Sequence, residues 1–437
     1  MSDLLVQGAP NALSTSDTAW MLVATALVLL MTPALALFYG GLVRAKNALN
    51  TMMMSIASLG VVGLVWAIVG YSFAFSSGNQ WIGGADHLVL RDVNVDARGS
   101  IPHLLFMAYQ GTFAIITAAL ISGALVERMR FSAYLLFIAL WAALVYAPVA
   151  HWVWGGGWLG RAGVLDYAGG TVVHVNAAAA ALAVALVLGP RRDYGRQALL
   201  PHNVPYVLLG AALLWFGWFG FNAGSALGAN TGAALAFVNT FLAPMATLVA
   251  WMGLDIARTG KATAVGAATG IVVGLVAITP AAGFVSPASA IVIGALAALP
   301  SYFAILYRAR TALDDSLDVV AAHGVGGATG ALLTGVFASA AWGGTDGALA
   351  GNVGQLGRQL MGLVVVAAYS GALTFVLIKA VSLALPLRTV TRAERTGLDI
   401  TEHGEEAYSH DEGTVLVLPS AEKEPAASLH SVLESSA

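Results

Sequence analysis

Two histidines lie inside apolar segments that are long enough to cross a membrane, and each follows an aspartate by eight residues. The first pair is Asp166 and His174, and the second is Asp315 and His323. Ionisable side chains at membrane depth are energetically costly and usually line a cavity or a conduction path. We therefore expect both imidazoles to face the interior of the protein.

The chemistry of the two imidazoles depends on whether they face each other. A neutral imidazole has one hydrogen-bond donor and one acceptor, so two facing rings can share a proton and still present a nitrogen to a small polar molecule. Their titration then belongs to the pair. Zinc binding is an alternative, although two histidines without a third well-placed ligand make a poor zinc site. A further alternative is two unrelated histidines, each bonded to a neighbouring carbonyl.

The composition is that of a helical membrane protein. Of 437 residues, 58% are hydrophobic and 10% are charged, whereas a soluble protein carries about 25% charged residues. Apolar runs of about 20 residues, enough for a membrane-spanning helix, recur along the chain and are continuous rather than alternating, which argues against barrel strands. The predicted fold class is an all-α integral membrane protein with eleven transmembrane helices, at 18–42, 48–75, 101–126, 131–152, 168–188, 204–227, 231–256, 262–280, 284–307, 317–340 and 356–385.

The basic residues predict the orientation of these helices. Lys and Arg accumulate in cytoplasmic loops, and here they occupy alternate connections, so we expect the N-terminus outside and the C-terminus inside. Segment 1–17 has no Lys or Arg, so we expect an extracellular or periplasmic segment and no cleavable signal peptide. The inner basic residues are Arg44, Lys46, Arg128, Arg130, Arg191, Arg192, Arg196, Arg258, Lys261, Arg308 and Arg310.

The two histidines indicate an inverted repeat, because they and their aspartates are offset by the same 149 residues. One span begins outside and the other inside, and eight helical residues descend about 12 Å. In a hydrocarbon core about 30 Å thick, both rings then approach the midplane. We predict a transport domain, 18–385, with inverted halves 18–188 and 204–340 and a bracing helix 356–385. In such repeats the transport site lies between the halves.

The rest of the composition excludes several classes of site. The chain contains no cysteine, so disulfides, thiolate metal sites and cysteine nucleophiles are excluded. Acidic residues gather in the tail 386–437, and nothing indicates nucleic-acid binding. We predict that this tail is cytoplasmic and that it is disordered after residue 409.

Motifs along about residues 15–410 resemble, in order, those of the ammonium transporter (Amt/MEP/Rh) family. The longest runs from Asp166 to His174 and continues to Gly189-Pro-Arg191. The tail motifs are similar to those of the bacterial and plant Amt branch. The other matching segments are Phe38-Tyr-Gly-Gly-Leu-Val-Arg44, Gln110-Gly-Thr-Phe113, Gly123-Ala-Leu-Val-Glu-Arg128, His151-Trp-Val-Trp-Gly-Gly-Gly157, Trp218-Phe-Gly-Phe-Asn-Ala-Gly-Ser225, Ala236-Phe-Val-Asn-Thr240, His323-Gly-Val-Gly-Gly327, Gly397-Leu-Asp399 and His403-Gly-Glu-Glu-Ala-Tyr408.

The resemblance implies an outer ammonium-binding site formed by Trp154, Phe113 and Ser225. It assigns to Asp166 the organisation of this entrance, although an aspartate that precedes a helix is also a common N-cap. The aromatic faces attract a cation by about 0.5–2 kcal/mol. Tyr109 stands where phenylalanine is common in the family, so we expect its hydroxyl to alter the outer vestibule.

The resemblance also implies a homotrimer without a cofactor, in which each subunit has its own pore. Phe113 and Phe221 correspond to stacked rings that gate this pore, and His174 and His323 to the twin histidines below them. Desolvating an ammonium-sized ion at a dry constriction costs tens of kcal/mol in the Born limit. We therefore predict that NH4⁺ is deprotonated near the rings and crosses mainly as NH3, and that the proton travels separately if charge moves at all.

The function predicted from the sequence is ammonium transport across a bacterial inner membrane, not enzymatic catalysis. A cytoplasmic PII-type signal protein is the expected regulatory partner, by resemblance to the family. The alternatives are a neutral gas channel of the Rh kind, a membrane sensor of ammonium, and an intramembrane metalloenzyme. The last lacks a third metal ligand and a positioned general base.

Overall fold

The computed structural model describes residues 12–408, and within this range ten helices are long and apolar enough to cross a membrane. A shorter apolar helix, Ala264–Ile278, makes eleven in this range. The all-α membrane architecture is confirmed, whereas the orientation in the membrane stays a prediction. The predicted disorder after residue 409 lies outside the described residues. The helices are α1 (Thr15–Leu42), α2 (Ala45–Phe75), α3 (His103–Ser122), α4 (Phe131–Trp141, continued by Ala142–Tyr146 and Ala147–Val153), α5 (Gly170–Leu188), α6 (Val204–Gly224), α7 (Thr231–Thr259), α8 (Ala264–Ile278), α9 (Pro287–Arg308), α10 (Val320–Phe337) and α11 (Gly354–Ala384).

Several helices end two to four residues earlier than the apolar runs predicted, among them α3 and α8. The third was expected to reach residue 126, but α3 ends at Ser122 and the chain turns through Glu127, whose φ is +68°. The eighth was expected to reach residue 280, but α8 ends at Ile278. Pro280 follows closely and has no N–H to continue the helical hydrogen bonds. In both places the chain leaves the helix while its sequence is still apolar.

The helices pack closely because small residues lie at their crossings. α1 and α6 run along each other over most of their length. A Cβ on Gly210 would lie 2.5 Å from the backbone nitrogen of Phe38, and one on Gly217 would lie 2.8 Å from the carbonyl oxygen of Leu27. Glycine therefore permits backbone contact between the first helix of each half, as is common in membrane bundles. α11 packs against α5 and α10, the two helices that carry the histidines.

The tail that follows α11 is bound to the helical body as far as it is described. It contains a short helix, Thr391–Thr396, and a π-helical turn, Asp399–His403. The carboxylate of Asp399 accepts the N–H groups of Leu49 (3.0 Å) and Asn50 (2.7 Å) near the start of α2. These helix-terminal N–H groups have no partner within their own helix, so the tail caps α2.

A small hairpin, β1 (Ala97–Arg98) and β2 (Ile101–Pro102), lies in the connection between α2 and α3.

Candidate functional site

His174 and His323 meet at the centre of the molecule. Their Nδ1 atoms lie 3.2 Å apart, and the rings are nearly parallel with centroids 5.2 Å apart. Both side chains are buried, with exposed fractions of 2% and 4%. A hydrogen bond between two Nδ1 atoms needs one N–H and one lone pair, so one ring donates and the other accepts. The structure thus brings together the two histidines that the sequence singled out.

Both histidines lie in π-helical turns that open their helices. His174 lies in Gly170–Val175, and His323 lies in Val320–Val325. A π turn is rare and occurs mostly at functional sites. Because the same feature opens α5 and α10, the two halves of the chain position their imidazoles by the same construction.

Buried carboxylates hold the starts of these two helices. Asp166 accepts four N–H groups, from the consecutive residues 169–172, at 2.7–2.9 Å. Asp315 accepts the N–H groups of Val319 (3.1 Å) and Val320 (2.7 Å). Carboxylates at helix N-termini satisfy unpaired donors and interact favourably with the helix dipole. The expectation that Asp166 acts as an N-cap therefore agrees with its hydrogen bonds, and Asp315 occupies the corresponding place in the second half.

The rings of Phe113 and Phe221 lie directly above the histidine pair. They are stacked, with centroids 4.1 Å apart and planes inclined by 20°, and both are buried. The Phe221 ring lies 6.2 Å from the imidazole of His174. We call these two phenyl rings the ring gate. No space remains between rings at this separation, so a passenger can cross only if they move apart.

Trp154 and Ser225 lie next to the ring gate. The Trp154 ring is perpendicular to that of Phe113 at a centroid distance of 6.0 Å, and its Nε1 donates to the carbonyl oxygen of Asp166 (2.9 Å). The Ser225 hydroxyl lies 2.9 Å from the carbonyl oxygen of Phe221 and donates to it. Since that bond uses the hydroxyl proton, Ser225 can accept hydrogen bonds; the Tyr109 hydroxyl lies 3.3 Å from its oxygen, and one lone pair remains for a further donor. All the residues expected at the outer site thus adjoin the gate.

Below the ring gate the passage is narrow and then widens. A cavity of about 10 Å³, close to the minimum that holds one water molecule, is lined by both histidines and by apolar side chains such as Leu35, Ile116 and Leu214. A second cavity of about 460 Å³ begins at His323 and continues towards the inner basic residues. The polar groups of the narrow part are therefore almost only those of the two imidazoles.

Trp218 is a lining residue to which the sequence analysis gave no role. Its indole stacks on His174, with centroids 5.4 Å apart and planes inclined by 22°, and its Nε1 donates to the Thr279 hydroxyl (2.8 Å). The ring therefore fixes one face of the imidazole. Spacing was the available signal, because residues 218, 221 and 225 lie on one face of α6.

A buried ion network lies beside the inner cavity. Glu127 pairs with Arg44 (3.1 Å) and with Arg191 (2.8 Å), and Arg191 also pairs with Asp314 (2.8 Å). Burial acts to raise the pKa of Glu127, but the guanidinium of Arg191 and the bonds from Arg44 hold that pKa below its ordinary value. Burial likewise acts to raise the pKa of Asp314, but the hydrogen bonds and charge of Arg191 bring that pKa below its ordinary value. The network joins the segments that follow α1, α3, α5 and α9. The sequence motifs that contain Arg44, Glu127 and Arg191 did not indicate these pairings.

The fold and this central passage define a multi-span helical membrane protein with a closed, histidine-lined path through it. The model of the Ammonium Transporter Family matches residues 19–408. The chain belongs to this family, which confirms the resemblance inferred from the motifs.

Curated relatives and solved structures agree with this assignment. An ammonium transporter of Bacillus subtilis is 48% identical over 398 residues, covering 90% of this chain and 98% of the relative. One from Aquifex aeolicus is 51% identical over 404 residues, covering 91% and 94%. The structure of Saccharomyces cerevisiae Mep2 superposes with a TM-score of 0.82 at 37% identity, covering 87% and 88%. A structure described as a sensor Amt protein superposes with a TM-score of 0.83 at 31% identity, covering 89% and 98%.

Proposed function

We propose that this protein takes up external ammonium by binding NH4⁺ above the ring gate, removing a proton there and conducting NH3 past the two histidines. The observation that carries the proposal is the contact of 3.2 Å between the imidazoles, directly beneath two stacked phenyl rings. The curated relatives named as ammonium transporters support a transport role rather than an enzymatic one.

Binding of the cation is proposed at the site formed by Trp154, Phe113 and Ser225. Two aromatic faces attract a cation, and the hydroxyl oxygen of Ser225 accepts one of its N–H groups. NH4⁺ and K⁺ are similar in size, so aromatic faces alone discriminate weakly between them. NH4⁺ can donate an N–H hydrogen bond to the hydroxyl oxygen, whereas K⁺ has no donor, and this difference discriminates between the two ions.

Deprotonation is proposed because the passage below is nearly dry. Burying an unpaired ammonium charge costs tens of kcal/mol in the Born limit, whereas NH3 carries no charge. Within the described residues, the Nε2 atom of His174 is buried and has no hydrogen-bond partner. It is the group that can bond the passenger inside the narrow cavity. The proton travels separately along the two imidazoles, so uptake moves charge.

The assembly and setting of the protein are part of the proposal. We infer a homotrimer in the bacterial inner membrane, with one pore per subunit and the N-terminus outside. A PII-type signal protein on the cytoplasmic face is the proposed regulatory partner. The docked tail and the wide inner cavity lie on the face that this partner would cover.

A sensor is the second candidate, because one structural neighbour is described as a sensor Amt protein. A sensor would bind ammonium with little transport. A neutral gas channel of the Rh kind would move NH3 without any current. Electrical recording on the intact protein separates these alternatives from electrogenic uptake.

The test is current recorded from proteoliposomes after an ammonium pulse, for wild type, His174→Ala and His323→Ala. We expect an inward current in wild type and loss of most of it in both variants, with the assembly state unchanged. His87→Gln, in the loop between α2 and α3, is the matched control and should retain the current. A current of wild-type size in both pore variants would contradict the role of the histidine pair. Internal alkalinisation without current favours the gas channel, and binding without either signal favours the sensor.

A further inference from the structure

Tyr109 connects the two helices that carry the ring gate. It lies on α3, four residues before Phe113, and is completely buried. Its hydroxyl lies 2.9 Å from the carbonyl oxygen of Phe221 and 3.0 Å from that of Gly220, both on α6. Its single proton is shared between these two carbonyls and the Ser225 hydroxyl oxygen, which lies 3.3 Å away. One side chain thus contacts the first ring and holds the backbone of the second.

The carbonyl of Phe221 depends on such a donor, because the helix ends there. The N–H of Ser225 would normally reach it, but bonds instead to the carbonyl oxygen of Asn222 (3.1 Å). Carbonyls in the last turn of a helix need partners from outside the helix ladder. For Phe221 those partners are the hydroxyls of Ser225 and Tyr109, each at 2.9 Å. The gate residue on α6 is therefore fixed at its backbone by hydroxyl groups.

The neighbouring packing is shaped to admit Tyr109. A Cβ on Gly224 would lie 2.7 Å from the Tyr109 hydroxyl oxygen and 2.9 Å from its ring, so a larger residue there would displace it. The Tyr109 ring meets that of Phe113 edge-on, with centroids 5.0 Å apart. Separation of the phenyl rings therefore disturbs at least one contact of Tyr109.

We propose that Tyr109 is a positioning residue that holds the ring gate closed through its hydroxyl. This inference rests on the proposed function, since it supposes that passengers cross between Phe113 and Phe221. Tyr109→Phe keeps the aromatic contact and removes the bonds of the hydroxyl to α6 together with its contact to Ser225. A hydrogen bond of this kind shifts a two-state equilibrium by about two- to tenfold, so the open state should become more populated by that factor.

The experiment compares wild type, Tyr109→Phe and Tyr302→Phe in proteoliposomes. Tyr302 is the matched control, because it is also buried and its hydroxyl joins α9 to Asp255 on α7 (3.2 Å), without an aromatic contact to the gate. In Tyr109→Phe we expect the saturating rate of methylammonium uptake to rise by about two- to tenfold. The KM should change less, and exclusion of K⁺ should weaken. Tyr302→Phe should match wild type in all three.

Hydrogen exchange on the same three proteins tests the tie to α6 without relying on transport. Amides of residues 220–226 should exchange faster in Tyr109→Phe than in the other two. Unchanged exchange there overturns the proposal, and so does faster exchange with unchanged rate and K⁺ exclusion. A rise in KM alone would make the hydroxyl a ligand of the cation and also overturn it. A wild type that moves no methylammonium refutes the proposed function itself, and with it the gating role of Tyr109.

Discussion

Replacing Asp166 with asparagine is expected to loosen the start of α5 and so to displace His174. The carboxylate of Asp166 accepts four backbone N–H groups, two at each oxygen. An asparagine keeps one carbonyl oxygen, which can accept two of them, but its NH2 group faces the other two donors. His174 follows only two residues after the last of the four donors. Backbone N–H groups that lose their acceptor in this turn therefore displace the imidazole of His174 directly.

The size of the effect follows from the number of bonds lost. Hydrogen bonds to charged groups contribute about 1.5–3 kcal/mol each, so losing two costs roughly 3–6 kcal/mol. Asp315 provides a matched control, because it caps α10 in the same way but accepts only two N–H groups, one at each oxygen. Asp315→Asn should lose one bond, or roughly 1.5–3 kcal/mol.

The free energy of unfolding, measured by SDS titration in mixed micelles, should fall about twice as far in Asp166→Asn as in Asp315→Asn. Methylammonium uptake by Asp166→Asn should fall more than tenfold, because a change of 1.4 kcal/mol in positioning already gives a factor of ten. Equal stability losses in the two variants would refute the bond-counting argument. An Asp166→Asn protein with wild-type uptake would refute the link between the cap and His174.

Two further predictions concern the inner face. Glu127→Gln should destabilise the protein by about 1.5–3 kcal/mol, because Arg44 and Arg191 lose their shared charged acceptor while Asp193 and Asp314 still pair with them. The pKa of Glu127 is held below its ordinary 4.5. The ionised carboxylate therefore stabilises the folded protein fully above that pH, and this stabilisation is lost as the pH falls through the lowered pKa. In thermal melts from pH 7 to pH 3, the melting temperature should depend less on pH in the variant than in wild type. In pull-downs performed with and without ADP or 2-oxoglutarate, the full-length transporter should retain a PII-type protein under at least one condition. Absence of binding under every condition would count against that partner.

Most of the fold could be predicted because membrane helices are long and uniformly apolar. Apolar runs located the eleven apolar helices of residues 12–408 to within a few residues. Errors in the bounds arose where a helix ended inside an apolar run, as at Ser122 and Ile278. The end of such a helix depends on the turn that follows and on its tertiary contacts, and hydropathy does not contain that information.

The candidate site was predictable in its residue types but not in its supports. The spacing of Asp166 from His174, repeated at Asp315 and His323, indicated that the rings should approach each other. The π-helical turns and the stacking of Trp218 on His174 were not predictable. They arise from contacts between α5, α6 and α10, which are far apart in the sequence. Local sequence patterns identify the reactive side chains, whereas tertiary packing sets their orientation.

The pairing of the histidines also explains why each half of the chain supplies one. A polar nitrogen buried in an apolar cavity costs free energy unless it is bonded, and a dry passage offers no water to bond it. Two facing imidazoles satisfy each other at Nδ1, and among the described residues the Nε2 of His174 stays buried without a partner. A single histidine would leave two nitrogens to satisfy. The buried Nε2 of His174 is an open hydrogen-bonding group that a small passenger such as NH3 can fill, whereas His323 borders the wide cavity.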